Sequence, residues 1–209
     1  METETIFRIV LPVLIIAFAS HRGYYVRKHG RAQNTLKQRE EGPASKVAGI
    51  LGLTGFIAMS AYVINPGWLS WTALSLPSWL RWTGIGVALL GFALLHWAQN
   101  TLGKNWSDTP RMMQEQALVT NGPYHFIRHP IYTAFLLILG STLLISANWL
   151  IGFAWTGMTV LEVASRIRFE ESLMLEYFGD RYREYMQNTG RLLPRVNVAT
   201  TSVVRTKGD

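Results

Sequence analysis

Long apolar stretches separated by blocks of charge constrain this chain more than any other feature. They lie at 6–22, 47–65, 80–102, 131–147 and 149–165 of 209 residues. A helix crosses the bilayer core with roughly 17–25 mostly apolar residues, so the first three are span-length and the last two sit near the lower limit. The 35 residues 131–165 hold one formal charge, Glu162. The alternative for that stretch is a single re-entrant or strongly tilted element. With 49% hydrophobic residues and eight Trp, the chain is too apolar, and too unevenly so, for an ordinary soluble domain. The expected fold is all-α, a polytopic membrane bundle of about five transmembrane helices with a cytoplasmic C-terminal amphipathic helix.

Charge sets the expected orientation. A secretory signal would open with positive charge, whereas Glu2 and Glu4 precede the first apolar run, which is therefore read as a retained span. The loop 21–46 carries Arg22, Arg27, Lys28, Arg31, Lys37, Arg39 and Lys46 against Glu40 and Glu41, and short basic loops stay cytoplasmic. Loop 66–79 has no charge and holds Trp68, Trp71 and Trp79, as an external interfacial turn would. The N-terminus is thus expected outside, with the C-terminus and any site at 103–130 and beyond 165 in the cytoplasm. The net charge of +7 follows this positive-inside pattern and suits anionic lipid rather than nucleic acid. Without Cys, disulfides, thiolate metal sites and a Cys nucleophile are excluded, and the five His show no metal-ligand spacing with carboxylates.

Polar residues gather at both feet of the 131–165 hairpin. Before it, residues 121–132 read Asn-Gly-Pro-Tyr-His-Phe-Ile-Arg-His-Pro-Ile-Tyr. Asn-Gly-Pro imposes a turn, and Pro130 suits the first turn of a helix whose unpaired N–H groups would face an anionic ligand group. Arg128 and His129 stand at that terminus, where an interfacial snorkelling pair is the plain alternative. After the hairpin, Arg166 and Glu170 share one helical face, with Glu171 adjacent; ion pairing with Arg166 or Arg168 is the structural alternative for either carboxylate. His96, Gln99 and Asn100 share a face of the third span, where polar groups line an interior or hydrogen-bond neighbouring helices. Residues 173–186 are amphipathic and expected to break near Gly179, and residues 191–209 read as a polar tail.

The ordered set Gly122-Pro-Tyr-x-x-x-Arg128-His129-Pro130-x-Tyr132, Arg166-x-x-x-Glu170-Glu171, Phe178-Gly-x-x-Tyr182-x-x-Tyr185 and Arg191-x-x-Pro194 resembles the isoprenylcysteine carboxyl methyltransferase family. Leu102-Gly-Lys-Asn-Trp-Ser107 is also similar to that family. The likeness covers about residues 100–195 and extends to membrane phospholipid methyltransferases, which share the Arg-His-Pro-x-Tyr and Glu-Glu elements. It implies an integral membrane enzyme that takes S-adenosylmethionine from the cytosol and a lipid or prenylated acceptor from the bilayer. Carried over by resemblance, the cofactor contacts are Gln116, Ala117, Leu118, Val119, Tyr124, His129, Pro130, Ile131 and Tyr132. Arg166 and Glu170 match the catalytic and acceptor-side positions, His96 is a further substrate-binding candidate, and Arg128 and Glu171 are secondary candidates. Ala134 departs from the family's frequent Gly and would narrow the pocket. The implied division is residues 1–102, three N-terminal spans; 103–195, the methyltransferase core; and 196–209, the tail.

Methyl transfer from a sulfonium is an in-line displacement that needs no metal, so alignment and water exclusion carry it. A carboxylate acceptor is already ionised at neutral pH and needs only a cation to hold it, for which Arg166 is placed; an amine acceptor must lose a proton, for which Glu170 is placed. A phospholipid amine N-methyltransferase is therefore the alternative enzyme. An NADPH-dependent sterol-type reductase would need a larger membrane domain and more cofactor-binding cations. A non-catalytic lipid-binding protein would be expected to lose the Arg-His-Pro or Arg-x-x-x-Glu groups, and both are present.

Overall fold

The structure, a computed structural model, describes residues 2–29, 35–38, 42–106, 111–113 and 117–195. Six α-helices form it: α1 (Glu2–His29), α2 (Pro43–Ile64), α3 (Ser78–Leu102), α4 (Pro130–Ser146), α5 (Trp149–Phe178) and α6 (Asp180–Asn188). Three of the expected spans fall on α1, α2 and α3, each long and apolar enough to cross a membrane. The 131–165 stretch is two helices and not one continuous element. It is a helical hairpin of α4, a shorter apolar helix of 17 residues, and the first half of α5.

Two findings depart from expectation. The second arm does not stop at 165 but runs on as one 30-residue helix to Phe178, because neither Gly nor Pro occurs between residue 158 and Gly179, whose φ of 55° ends it. The amphipathic segment is therefore the end of α5 plus α6. In addition, two short strands, β1 (Thr35–Gln38) and β2 (Arg111–Met113), pair antiparallel, so the basic loop is tied to the connection after α3. The tail 196–209 lies outside the described residues.

Small residues let the helices approach closely, as membrane bundles require in the absence of a hydrophobic driving force between spans. A methyl group built at Gly84 or Gly91 of α3 would lie 2.8 Å from Leu144 or 2.7 Å from Ile138 of α4. At Gly52 of α2 it would lie 2.8 Å from the Met158 sulfur of α5. Ala134 is fully buried, and its carbonyl faces Gly91 of α3. Ala134 is not among the residues that line the cavity between α1, α2, α4 and α5. Ile9, Val13, Ile50, Leu53, Leu89 and Leu90 are exposed, forming an apolar outer surface for lipid.

The hairpin tip is held by polar groups. Ala147 adopts φ 48°, and the Asn148 side chain accepts from the Ile151 amide at 3.2 Å, capping α5. Asn148 Nδ2 also donates to Thr72 Oγ1 at 2.6 Å in the turn after α2. Nearby, the buried Arg81 donates to the Ile145 carbonyl at 3.0 and 2.9 Å and to the Tyr62 hydroxyl at 2.9 Å, and it pairs with Glu4. Glu4 thus serves as a counter-ion between helix ends, joining α1, α3 and the last turn of α4.

Among the helical glycines Gly152, next to the tip, has the least space: a methyl there would meet Leu143 side-chain atoms at 2.5 Å and its Cα at 2.7 Å. Gly152→Ala is expected to destabilise the protein by about 1–3 kcal/mol through overpacking. Gly86→Ala, whose methyl meets nothing within 4 Å, should leave stability unchanged or raise it by up to about 1 kcal/mol. Thermal unfolding in detergent checks both, and equal midpoints for the two variants would refute the packing account.

Candidate functional site

The basic ends of α4 and α5 meet beneath a turn built by residues 121–129. Gly122 takes φ 57°, which a residue with a side chain adopts only with strain, and opens a single 3-10 turn over Gly122–His125. Pro130 occupies the first position of α4, as expected, with His129 at the N-cap. The chain after α6 straps this junction. Ile127 bridges Gly190, the Arg128 amide donates to the Gly190 carbonyl at 2.8 Å, and the His129 amide donates to the Arg191 carbonyl at 3.1 Å. Thr133 Oγ1 donates to the Leu192 carbonyl at 2.7 Å, which extends the strap along the first turn of α4.

At the centre lies the Glu171 carboxylate, 6% exposed. Its Oε1 accepts from Arg128 at 3.1 and 3.0 Å, and Arg191 donates to Oε1 at 3.2 Å and to Oε2 at 2.6 Å. Arg128 also donates to the carbonyls of Met186, at 3.2 Å, and Thr189. Arg128 is therefore a buried bracket and not a snorkelling surface charge. Burial pushes the Glu171 carboxyl up, but His129, Arg191 and Arg128 outweigh it and hold the group at about 2.

His129 stands between the two glutamates, with Nδ1 3.4 Å from Glu170 Oε2 and Nε2 3.4 Å from Glu171 Oε1. The second approach lacks hydrogen-bond geometry, so Nε2 is a buried ring nitrogen without a hydrogen-bond partner. Burial lowers the imidazole's proton affinity, yet the two carboxylates more than compensate and raise it above the ordinary value. The His129 ring stacks on Tyr132 at 5.6 Å, and the Tyr132 hydroxyl donates to Glu170. Tyr124 is buried, and its carbonyl accepts from the Tyr185 hydroxyl at 2.6 Å.

Tyr132 and Arg166 also line a cavity of about 310 Å³ between α1, α2, α4 and α5. Its deeper wall is apolar, with Phe18, Phe135, Leu139, Met158 and Val163, while Arg166 and Glu162 supply charge. Arg166 Nε donates to Glu162 Oε2 at 2.7 Å, four residues back, and the arginine interacts electrostatically with Tyr132 and Glu170. A slot with apolar walls and ions at one end, touching the aromatic face of a polar cluster, can hold an amphiphile with its head beside a second ligand.

The structure therefore brings together Arg128, His129, Tyr132, Arg166, Glu170 and Glu171. Pro130 and Tyr124 are buried beside them, whereas Ile131 packs on the main core. Ala117 is tethered through its amide to Asn105 at 2.9 Å, with Leu118 and Val119 half-buried on the way to the Gly122 turn; Gln116 lies outside the described residues. His96 sits elsewhere. It bonds Asn100 at 2.8 Å and faces His21 with ring centroids 6.0 Å apart, because α4 packs between α3 and α5 and separates His96 from Arg166. Gln99 is buried on α3, and its Oε1 has no hydrogen-bond partner among the described residues. Sequence reasoning missed Glu162 and Arg191 as site residues. The signal for the first was its standing as the one charge in the hairpin; for the second it was the quoted Arg191-x-x-Pro194 element.

Residues 84–176 match the isoprenylcysteine carboxyl methyltransferase family. A protein-S-isoprenylcysteine O-methyltransferase B of Arabidopsis thaliana is 26% identical over 205 residues, 93% of this chain and 98% of that protein. A protein-S-isoprenylcysteine O-methyltransferase of Tribolium castaneum is 33% identical over 113 residues, but the match spans 53% of this chain and 40% of that protein. The solved structure of a eukaryotic intramembrane Ras methyltransferase, an isoprenylcysteine carboxyl methyltransferase, superposes with a TM-score of 0.54 at 28% identity, covering 75% of this chain and 54% of that one. The matched region, under half of the chain, holds α4 and most of α5 with every residue of the His129–Glu171 cluster but Arg191, and over it the chain is similar to the isoprenylcysteine carboxyl methyltransferase family.

Proposed function

We propose that the protein is an S-adenosylmethionine-dependent methyltransferase that esterifies the carboxylate of a lipid-embedded, isoprenylcysteine-type acceptor at the cytoplasmic face of a membrane. The observation that carries this reading is the junction at Tyr132, whose side chain belongs both to the His129–Glu170 cluster and to the wall of the apolar cavity headed by Arg166. One cluster suits a polar cofactor and the other an amphiphilic acceptor.

The residues at the first cluster fit S-adenosylmethionine. His129 Nε2 is a buried ring nitrogen without a hydrogen-bond partner at a helix N-terminus, and such a group is costly unless a ligand satisfies it. As imidazolium it would donate to the cofactor's carboxylate, while Glu170, 27% exposed, is open to its cationic groups. When bound, the cofactor supplies an electrophilic methyl group on a positive sulfur. Tyr132 and His129 form an aromatic wall. Glu171 keeps His129 charged and in place, and Arg128 and Arg191 fix Glu171 in turn.

On the acceptor side Arg166 holds the carboxylate, which needs no general base. Glu162 aligns the guanidinium and tempers its charge, leaving the acceptor oxygen a better nucleophile than it would be under a bare cation. Esterification removes the negative charge that Arg166 holds, so the product binds more weakly than the substrate and leaves. Apolar helices around the cavity exclude water that would solvate the acceptor oxygen. Arg22 and Ser45, from the two ends of the basic loop, line the cavity with Arg166 and Glu162, which supports a cytoplasmic site with the N-terminus outside.

Arg166→Ala is expected to lower kcat/KM for a carboxylate acceptor about 100-fold or more while leaving S-adenosylhomocysteine binding near its parent value. Comparable losses of both would contradict the assigned role. In isothermal titration the parent should bind S-adenosylhomocysteine and His129→Ala should bind it at least about tenfold more weakly; no binding by the parent would sink the methyltransferase reading. The raised imidazole of His129 is charged below its ordinary value near 6.5 and stays charged above it, so parent affinity should be kept through 6.5 and decline as pH rises through the raised value. Glu171, depressed to about 2, contributes its stabilisation in full above about 4.5 and loses it as pH falls toward 2. Acid unfolding of Glu171→Gln should therefore start from a lower midpoint at pH 7 and show a shallower decline over that window.

A further inference from the structure

The apolar end of the cavity lies where α2 and α5 come together. Three glycines of α2, at 49, 52 and 55, sample the gap between the two helices. A methyl built at Gly55 would lie 3.1 Å from the Trp155 indole, and one at Gly52 would lie 2.8 Å from the Met158 sulfur. These pairings run antiparallel, so the next step along α2 toward its start moves toward Glu162 and Arg166 on α5. There Gly49 lines the cavity, and a methyl on it would meet nothing within 4 Å. The space between the helices is thus a wedge, open at Gly49 and shut at Gly52, and the cavity-lining side chain that shuts it is Met158. Leu139 of α4, 2% exposed, lines the same apolar end.

We infer that Met158 is the floor of the acceptor cavity and sets the length of apolar tail that the site accepts, with Gly52 behind it as the residue that sets the floor's depth. The inference rests on the proposed acceptor chemistry and adds to it what limits the tail. Met158 stands eight positions before Arg166 on the unbroken α5, about 12 Å along the axis. The head of the acceptor and the stop for its tail are therefore carried by one rigid element. A tail that just reaches the floor buries all its carbons, whereas a longer one must displace the thioether or leave its last carbons outside. Methionine, unbranched and with three rotatable bonds, makes a floor that yields without breaking the helix contact. The sulfur occupies the space that a side chain at 52 would take, so the glycine lets the thioether lie back against α2 and leaves the cavity deeper. Gly52 itself does not line the cavity, so it acts on the tail through Met158.

The test uses the full chain in detergent with labelled S-adenosylmethionine and N-acetylcysteine carrying a geranyl, farnesyl or geranylgeranyl thioether. The readout is the ratio of kcat/KM for the longest tail to that for the shortest, which a general loss of folded enzyme leaves unmoved. Met158→Ala should raise this ratio about tenfold or more over the parent, the scale on which an apolar pocket discriminates by a carbon or a few. Gly52→Ala, whose methyl pushes the sulfur toward the cavity, should lower it about threefold or more, and the effect should vanish when Met158→Ala is also present. Met158→Leu, which conserves volume, should keep the ratio within about twofold of the parent. A ratio unmoved by Met158→Ala, or a Gly52→Ala effect that persists without the thioether, overturns the inference while the parent's methylation of the carboxylates leaves the proposed function standing. If the parent methylates none of the three acceptors, both fall together.

Discussion

The buried Glu171 carboxylate is the interaction on which the rest of the site depends. A charge with 6% exposure persists only when its partners replace the water it has lost, and here they come from two separate stretches of chain. Arg128 arrives from the turn before α4, His129 from the cap of α4, and Arg191 from the strap after α6. Each partner is itself anchored by backbone hydrogen bonds, so one carboxylate sets how α4, α5 and the C-terminal segment meet. Removing any one partner would leave the others facing an undercompensated charge, which makes the arrangement all-or-none.

The same economy of parts appears at Tyr132. Its ring stacks on His129, its hydroxyl donates to Glu170, and its side chain closes one end of the cavity. A single residue on the first turn of α4 is thereby the partition between a polar compartment and an apolar one. A transfer reaction between a water-soluble donor and a membrane-embedded acceptor needs such a partition, thin enough for reacting atoms to meet and wide enough to keep the two solvents apart.

Much of this was legible in the sequence because it rests on short-range rules. Apolar runs of span length gave α1, α2 and α3 to within a few residues, Pro130 marked the start of α4, and Gly179 marked the end of α5. The polar groups flanking the hairpin did converge. Pairings across elements were less accessible. The i,i+4 spacing of Arg166 and Glu170 is equally satisfied by Glu162 and Arg166, and spacing alone cannot choose, whereas the fold gives Glu170 to Tyr132 and His129. His96 shares the apolar-helix context of the site residues, but only the packing order reveals that α4 separates it from Arg166. The β1–β2 pairing joins segments more than seventy residues apart, and strands of four and three residues carry no periodicity strong enough to announce it.

The unbroken course of α5 has a consequence of its own. Glu162 and Arg166 head the cavity, while Glu170 and Glu171 belong to the polar cluster, and all four stand on one helix without a hinge between them. At about 1.5 Å of rise per residue, the outermost two are separated by roughly 13 Å along the axis, a length set by covalent geometry and not by loop conformation. The helix is in effect a ruler laid across the membrane boundary. Sequence drift in the surrounding spans can reshape the cavity for different tails without altering the spacing between its head group and the polar cluster. A single-residue insertion between Arg166 and Glu170, by contrast, would turn the two carboxylates by about 100° about the helix axis and uncouple the two halves of the site.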